Sequence, residues 1–143
     1  LAAAKLAGYG ANVNRVNDLF LEDFDSDRRV QDLVNKVEMV TYTIATILAD
    51  EGVLYTPEEL AKAADYVLKY GVDASFAIGK VDDEVVHVSG RSPENINVGE
   101  VMKTLGGGGN PASGAARIEG ESVEEVGKRL RKVLEPTGYN RHI

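Results

Sequence analysis

Apolar residues recur at helical spacing twice in the first forty positions, at Val13, Val16, Leu19 and Phe20 and again at Val30, Leu33, Val34 and Val37. Two short helices are predicted there, separated by the polar cluster EDFDSD at 22–27. The β-branched run TYTIATIL predicts a strand over 41–48. A helix then opens with Thr56 as N-cap, Pro57 at the first helical position and Glu59 completing a capping box; its buried stripe is Leu60, Ala64, Val67 and Leu68, and Gly71 closes it. ASFAIGKV and EVVHVSGR flank Asp82 and Asp83 as a β-hairpin. A short helix capped by Asn97 carries Val98, Val101, Met102 and Leu105 on one face and runs into four glycines. GAARIEG predicts a further strand. The last helix has Ser122 and Glu125 as a capping box, a stripe of Val126, Leu130, Val133 and Leu134, and Pro136 as its stop.

From residue 41 the order is therefore β-α-β-β-α-β-α. Interleaved helices and strands that include a hairpin imply an α/β or α+β domain, with a mixed sheet of four to five strands and helices mainly on one face. Residues 1–40 read as a helical connector, whose first stretch LAAAKLAGYG resembles the last turns of a helix ending at Gly8 or Gly10. Residues 41–136 form the domain and 137–143 a tail.

Composition narrows the function classes. The 143 residues suffice for one domain with a real core, and the 43% hydrophobic and 27% charged content is that of an ordinary globular protein. No apolar run approaches the roughly 18–20 residues that span a bilayer, so no membrane contact is expected from this segment. The net charge of −7 argues against a broadly basic nucleic-acid surface. Zero cysteines exclude disulfides and thiolate metal sites and suit the cytoplasm. The chain starts at Leu1 with neither an initiator Met nor a signal sequence, which predicts a segment of a longer protein.

Candidate chemistry centres on GGGGNPASGAA, which starts at residue 106. Glycines between a capped helix and a strand can take φ > 0 and turn several N–H groups toward one point, a concavity suited to phosphate. No Gly-Lys-Ser/Thr follows, so this is no P-loop, and the formal G-x-G-x-x-A at Gly107, Gly109 and Ala112 follows a helix where a dinucleotide-binding turn follows a strand. Arg91 stands at a strand end beside Ser89 and Ser92, where a guanidinium can grip phosphate with two hydrogen bonds. DFDSD lacks the glycine and closing glutamate of a calcium loop. His87 and His142 have no metal-binding or catalytic neighbours in sequence, and G-x-S-x-G is absent.

The stretch ADYVLKYGVDASFAIGKVDDEVVHVSGRSPENINVGEVMKTLGGGGNPASGAARIEGESVEEV, and within it SGRS paired with INV before GGGG, resembles the C-terminal DHH-associated domain of the DHH phosphoesterase superfamily. Its wording is most similar to the cyclic-dinucleotide phosphodiesterases and the oligoribonuclease/pAp-phosphatase group. The resemblance implies a two-lobed, manganese-dependent phosphoesterase. A larger N-terminal lobe carries Asp and His ligands for two manganese ions, and this smaller lobe holds a nucleotide or short oligonucleotide.

Carried over by position, Arg91 and Ser92 contact substrate phosphate, and the backbones of Gly106, Gly107, Gly108 and Gly109 cradle it. Family members place a His directly after the last glycine. Here Asn110 stands there, able to donate a hydrogen bond but not to carry an imidazolium charge. No DHH motif or Asp/His metal cluster occurs in the 143 residues, so no catalytic or metal-ligating residue is assigned, and the chain alone is expected to be inactive. Two other classes fit the same pattern: a non-catalytic RNA-binding module, since a similar domain ends many alanyl-tRNA synthetases, and a purely structural or dimerising domain, for which a homodimer is the expected partner.

Overall fold

The computed structural model describes residues 11–135, with side chains from residue 18 onward. The helix end read in the first ten residues, the side chains of Val13 and Val16, the Pro136 stop, His142 and the tail at 137–143 lie outside the described residues.

The first element is one helix, α1 (Ala11–Val34), where two were expected. Residues 22–27 contain neither Gly nor Pro, and Arg28 reaches back to Asp25 across one turn at 2.7 Å, so the acidic cluster continues the helix as its solvated side. The helix stops at Val34, and Val37, expected on its apolar stripe, opens the short strand β1 (Val37–Met39). The next strand, β2 (Ile44–Leu48), starts three residues later than expected. Its delay comes from Thr41, whose hydroxyl accepts from the N–H groups of Thr43 and Ile44 at 3.1 Å each and shapes the turn between the two strands.

Helix α2 (Pro57–Val67) has its full Thr56/Glu59 capping box, and a single 3₁₀ turn, Leu68–Tyr70, carries the chain to Gly71 at φ 84°. The hairpin of β3 (Ala74–Asp82) and β4 (Val85–Arg91) follows, then α3 (Val98–Thr104), the two-residue strand β5 (Gly108–Gly109), β6 (Ser113–Glu119) and α4 (Val123–Leu134), itself opened by the Ser122/Glu125 capping box.

The six strands form one sheet in the order β1-β2-β3-β4-β6-β5. Only β2 and β3 run parallel, joined by the α2 crossover; every other pair is antiparallel. The expected mixed α+β domain is present, and β1 and β5 raise the strand count beyond the expected four to five.

The cover also differs from the expectation of helices mainly on one face. Phe76, Ile78, Val86 and Val88 pack with Val98 and Met102 of α3 and Val126 and Leu130 of α4. Ala45, Ile47 and Ala77 pack on the opposite side with Leu33 of α1 and Leu60, Ala63 and Ala64 of α2. Successive strand residues point to opposite faces, and β2 and β3 are apolar on both, so both faces require a helical layer.

Glu59 fastens α1 to α2. It is only 5% exposed, and its carboxylate accepts from Nε of Arg29 at 2.9 Å, Nη2 of Arg29 at 3.1 Å, the Thr56 N–H at 3.0 Å and the Ser26 hydroxyl at 3.3 Å. Arg29 also donates to the Leu54 carbonyl and lies over the Tyr55 ring, 4.7 Å from its centroid. Burial alone would raise the Glu59 pKa, but the Arg29 and Thr56 hydrogen bonds outweigh it and hold the carboxyl below its usual range. A depressed folded-state pKa contributes stability that is present above the unfolded value of about 4.3 and lost as pH falls through the folded one. Glu59→Gln should therefore lower stability at neutral pH by about 1–3 kcal/mol and flatten its decline in acid. Urea unfolding at a series of pH values checks this; a variant with the wild-type acid profile would remove Glu59 from that role.

Candidate functional site

Alternation along β4 turns Val86 and Val88 into the α3/α4 core and sends His87, Ser89 and Arg91 to the opposite face. On β6 the residues opposite these three are Arg117, Ala115 and Ser113. The rim of α2 at Pro57, Glu58 and Ala61 and the glycines of β5 flank this row, leaving an open groove of about 440 Å³. Arg91 stands at one end of the row, and a smaller cavity of about 270 Å³ adjoins it, bordered by Ala61, Lys62 and Asp65.

Each residue expected at the site now has a place. Arg91 is half-buried, with Nη1 donating to the Gly90 carbonyl at 2.8 Å; a guanidinium has five N–H donors, so most remain for a ligand. Ser92 is 3% exposed, and its hydroxyl donates to the Asp73 carbonyl at 2.7 Å and accepts from the Ile96 N–H at 3.2 Å. That oxygen is committed inside the chain, locking the β4–α3 connection.

Gly106 takes φ 88° and ends α3: its N–H bonds the Lys103 carbonyl at 3.0 Å, and the Gly107 N–H bonds the Met102 carbonyl at 2.8 Å. These two bonds form a Schellman closure, so both amides serve the helix end and not a ligand. Gly108 and Gly109 line the groove with bare backbone. The positive φ values lie at Gly106 and Gly109, and the space where a Gly108 Cβ would point is empty for 4 Å. Asn110 closes the β5–β6 hairpin, its Oδ1 accepting from the Ala112 and Ser113 N–H groups at 2.9 Å each. The first amides of α3 are also occupied, Val98 by the Pro111 carbonyl, Gly99 by the Asn110 carbonyl and Glu100 by the Asn97 side chain.

The structure thus brings Arg91, Gly108 and Gly109 together and gives Ser92, Gly106, Gly107 and Asn110 internal bonds. It adds His87, Ser89, Ser113 and Glu58, which motif reading missed. The period-2 row His87, Ser89, Arg91 was the available signal. His87 is half-buried with Nε2 3.1 Å from the Ser89 hydroxyl. Burial pushes its pKa below the usual histidine value and so favours the neutral ring; Glu58 opposes this, while Arg117 and Arg91 add to it. Ser89 is 3% exposed and lies in the floor, which does not suit a nucleophile that must meet a substrate.

A larger cavity, about 540 Å³, lies between α1 and the β2–α2 loop, but its cations are already paired: Arg28 with Asp25, Lys36 with Asp50, Arg29 with Glu59. Among the described residues no group of three or more His, Cys, Asp or Glu could hold a metal ion, so the two manganese ions implied by the resemblance find no fitting ligands there. No helix among those residues is long and apolar enough to cross a membrane.

The DHHA1 domain model matches residues 30–135 of this chain. The chain belongs to the DHHA1 domain family. It is 32% identical over 134 residues to the cyclic-di-AMP phosphodiesterase GdpP of Geobacillus thermodenitrificans, an alignment covering 93% of this chain and 20% of that protein. It is also 32% identical over 133 residues to a membrane protein–large ribosomal subunit bL9 fusion protein of Aster yellows witches'-broom phytoplasma, covering 92% of this chain and 16% of that one. The chain therefore spans only 16% to 20% of the length of these curated relatives. Among solved structures, the C-Ala domain of Aquifex aeolicus alanyl-tRNA synthetase superposes with a TM-score of 0.53 at 22% identity, over 69% of this chain and 97% of that one, a likeness of fold.

Proposed function

We propose that this chain is the substrate-holding lobe of a DHH-family phosphodiesterase acting on small nucleotides or short oligonucleotides in the cytoplasm. The observation that carries the reading is the meeting of Arg91 with the side-chain-free backbone of Gly108 and Gly109 in one open groove, in a chain 32% identical to a cyclic-di-AMP phosphodiesterase. A phosphate at that end receives the guanidinium's charge and can approach the main chain closely, because glycine has no Cβ to hold it off. Residues 30–135, the stretch that the DHHA1 model matches and that includes β1 of the sheet, form the binding domain, and the chain before them leads in from a catalytic lobe. Two manganese ions held by that lobe would supply Lewis-acid chemistry, activating a water and offsetting negative charge on phosphorus. This chain's share is to hold and orient the phosphate.

The RNA-binding alternative asks for contacts to many phosphates at once. The groove has only Arg91 along its lining and Arg117 beside it, on a chain of net charge −7, which favours a small ligand. Manganese-dependent hydrolysis of a linear diadenylate should occur with the intact protein and be absent from the 143-residue chain assayed alone. Hydrolysis by the isolated chain, abolished by a substitution within it, would overturn the division of labour.

A further inference from the structure

Ser89 and His87 lie in the groove two and four residues along β4 from Arg91, so the row extends about 13 Å at the strand rise of roughly 3.3 Å per residue. That is the reach of a whole nucleotide rather than of a bare phosphate. The Ser89 hydroxyl is buried and His87 Nε2 is its one hydrogen-bond partner in the structure. A buried hydroxyl that keeps its proton unshared is costly, so the O–H donates to Nε2, and the neutral ring carries its own proton on Nδ1. The charged groups facing the ring are Glu58 from α2, Arg117 from β6 and Arg91 on its own strand, while β3 places Gly79 opposite it. The groove thus has the Arg91 cation at one end and, at the other, a neutral donor between the opposite charges of Arg117 and Glu58.

We propose that His87 is a nucleobase contact, donating its Nδ1 proton to a ring nitrogen or carbonyl oxygen of the base, with Ser89 as the residue that positions the imidazole. The inference rests on the phosphate reading of Arg91 and identifies what the remainder of the groove recognises: a nucleotide in preference to any other phosphate ester. It also accounts for the open side of the groove at Gly108, level with Ser89, where nothing lies within 4 Å of the position a Cβ would take.

Calorimetric titration of the intact protein with adenosine 5′-monophosphate and with ribose 5-phosphate separates the two readings. His87→Ala should weaken the nucleotide about tenfold and the sugar phosphate by less than about twofold, the loss of one hydrogen bond that only the base makes. In ¹⁵N spectra of the wild type, the His87 ring should show the Nδ1-protonated tautomer and shift on adding the nucleotide but not the sugar phosphate; Ser89→Ala should abolish the fixed tautomer. Equal weakening of both ligands, or a ring that does not respond to the nucleotide, would overturn the proposal, and the spectral arm decides even where His87→Ala fails to fold. If neither ligand binds the wild type, the Arg91 phosphate site itself is refuted, and the base contact falls with it.

Discussion

Gly107→Ala and Gly109→Ala should each destabilise the domain by about 3 kcal/mol or more, while Gly108→Ala should leave stability within about 1 kcal/mol of wild type. A Cβ on Gly107 would stand 2.1 Å from the Ala115 carbonyl oxygen and 2.7 Å from the Ala116 Cα. On Gly109 it would lie 2.3 Å from the Ser113 oxygen and 2.5 Å from the Gly114 Cα, at φ 146°. These obstacles are β6 backbone, held on its other side by β4, and cannot swing away as a flexible side chain would. Gly108 has nothing within 4 Å of that position, so the extra methyl enters the open groove. Urea denaturation midpoints of the three variants check the order. A Gly107→Ala protein as stable as Gly108→Ala would contradict the pairing of the glycine strand with β6.

That contrast shows how far the chain could be read unaided. Capping boxes at Thr56/Glu59 and Ser122/Glu125 and the alternation on both sides of Asp82-Asp83 are local signals, and α2, α4 and the β3–β4 hairpin stand where they predict. The strands β1 and β5 have three and two residues, too few for any period to register, and they exist only because β2 and β6 offer them an edge. The polarity of EDFDSD predicts a loop, yet it contains neither Gly nor Pro to oppose helical geometry, and the helix runs through it.

At the site, Arg91 and the glycine run were legible as one region. Which glycine faces solvent and which ones close α3 depends on the Schellman bonds to Lys103 and Met102, and these follow from where the helix ends in space. Ser92 illustrates the same limit: its partner Asp73 is brought up by the β3 end of the sheet, and motif reading could not tell a ligand hydroxyl from a locking one. His87 becomes informative only when α2 delivers Glu58 and β6 delivers Arg117 beside it.

The largest functional effect is expected at Arg91. Arg91→Ala removes the cation at the end of the groove, and a charge-assisted contact to phosphate contributes about 1.5–3 kcal/mol, so binding should weaken roughly ten- to hundredfold. The fold should survive, because the side chain bonds within the chain through one hydrogen bond, to the Gly90 carbonyl, and its neighbours Gly90 and Ser92 keep the strand pairing and the Asp73 lock. Gly108→Val is the companion variant, with β6 pairing intact and a branched side chain set in the ligand's path. The measurement that bears most directly on the account is calorimetric titration of the intact protein with adenosine 5′-monophosphate, wild type against Arg91→Ala, with thermal unfolding run on the same samples. The account predicts nucleotide binding by the wild type and a roughly ten- to hundredfold loss in a variant that melts like wild type. Equal affinity in the two proteins would contradict it.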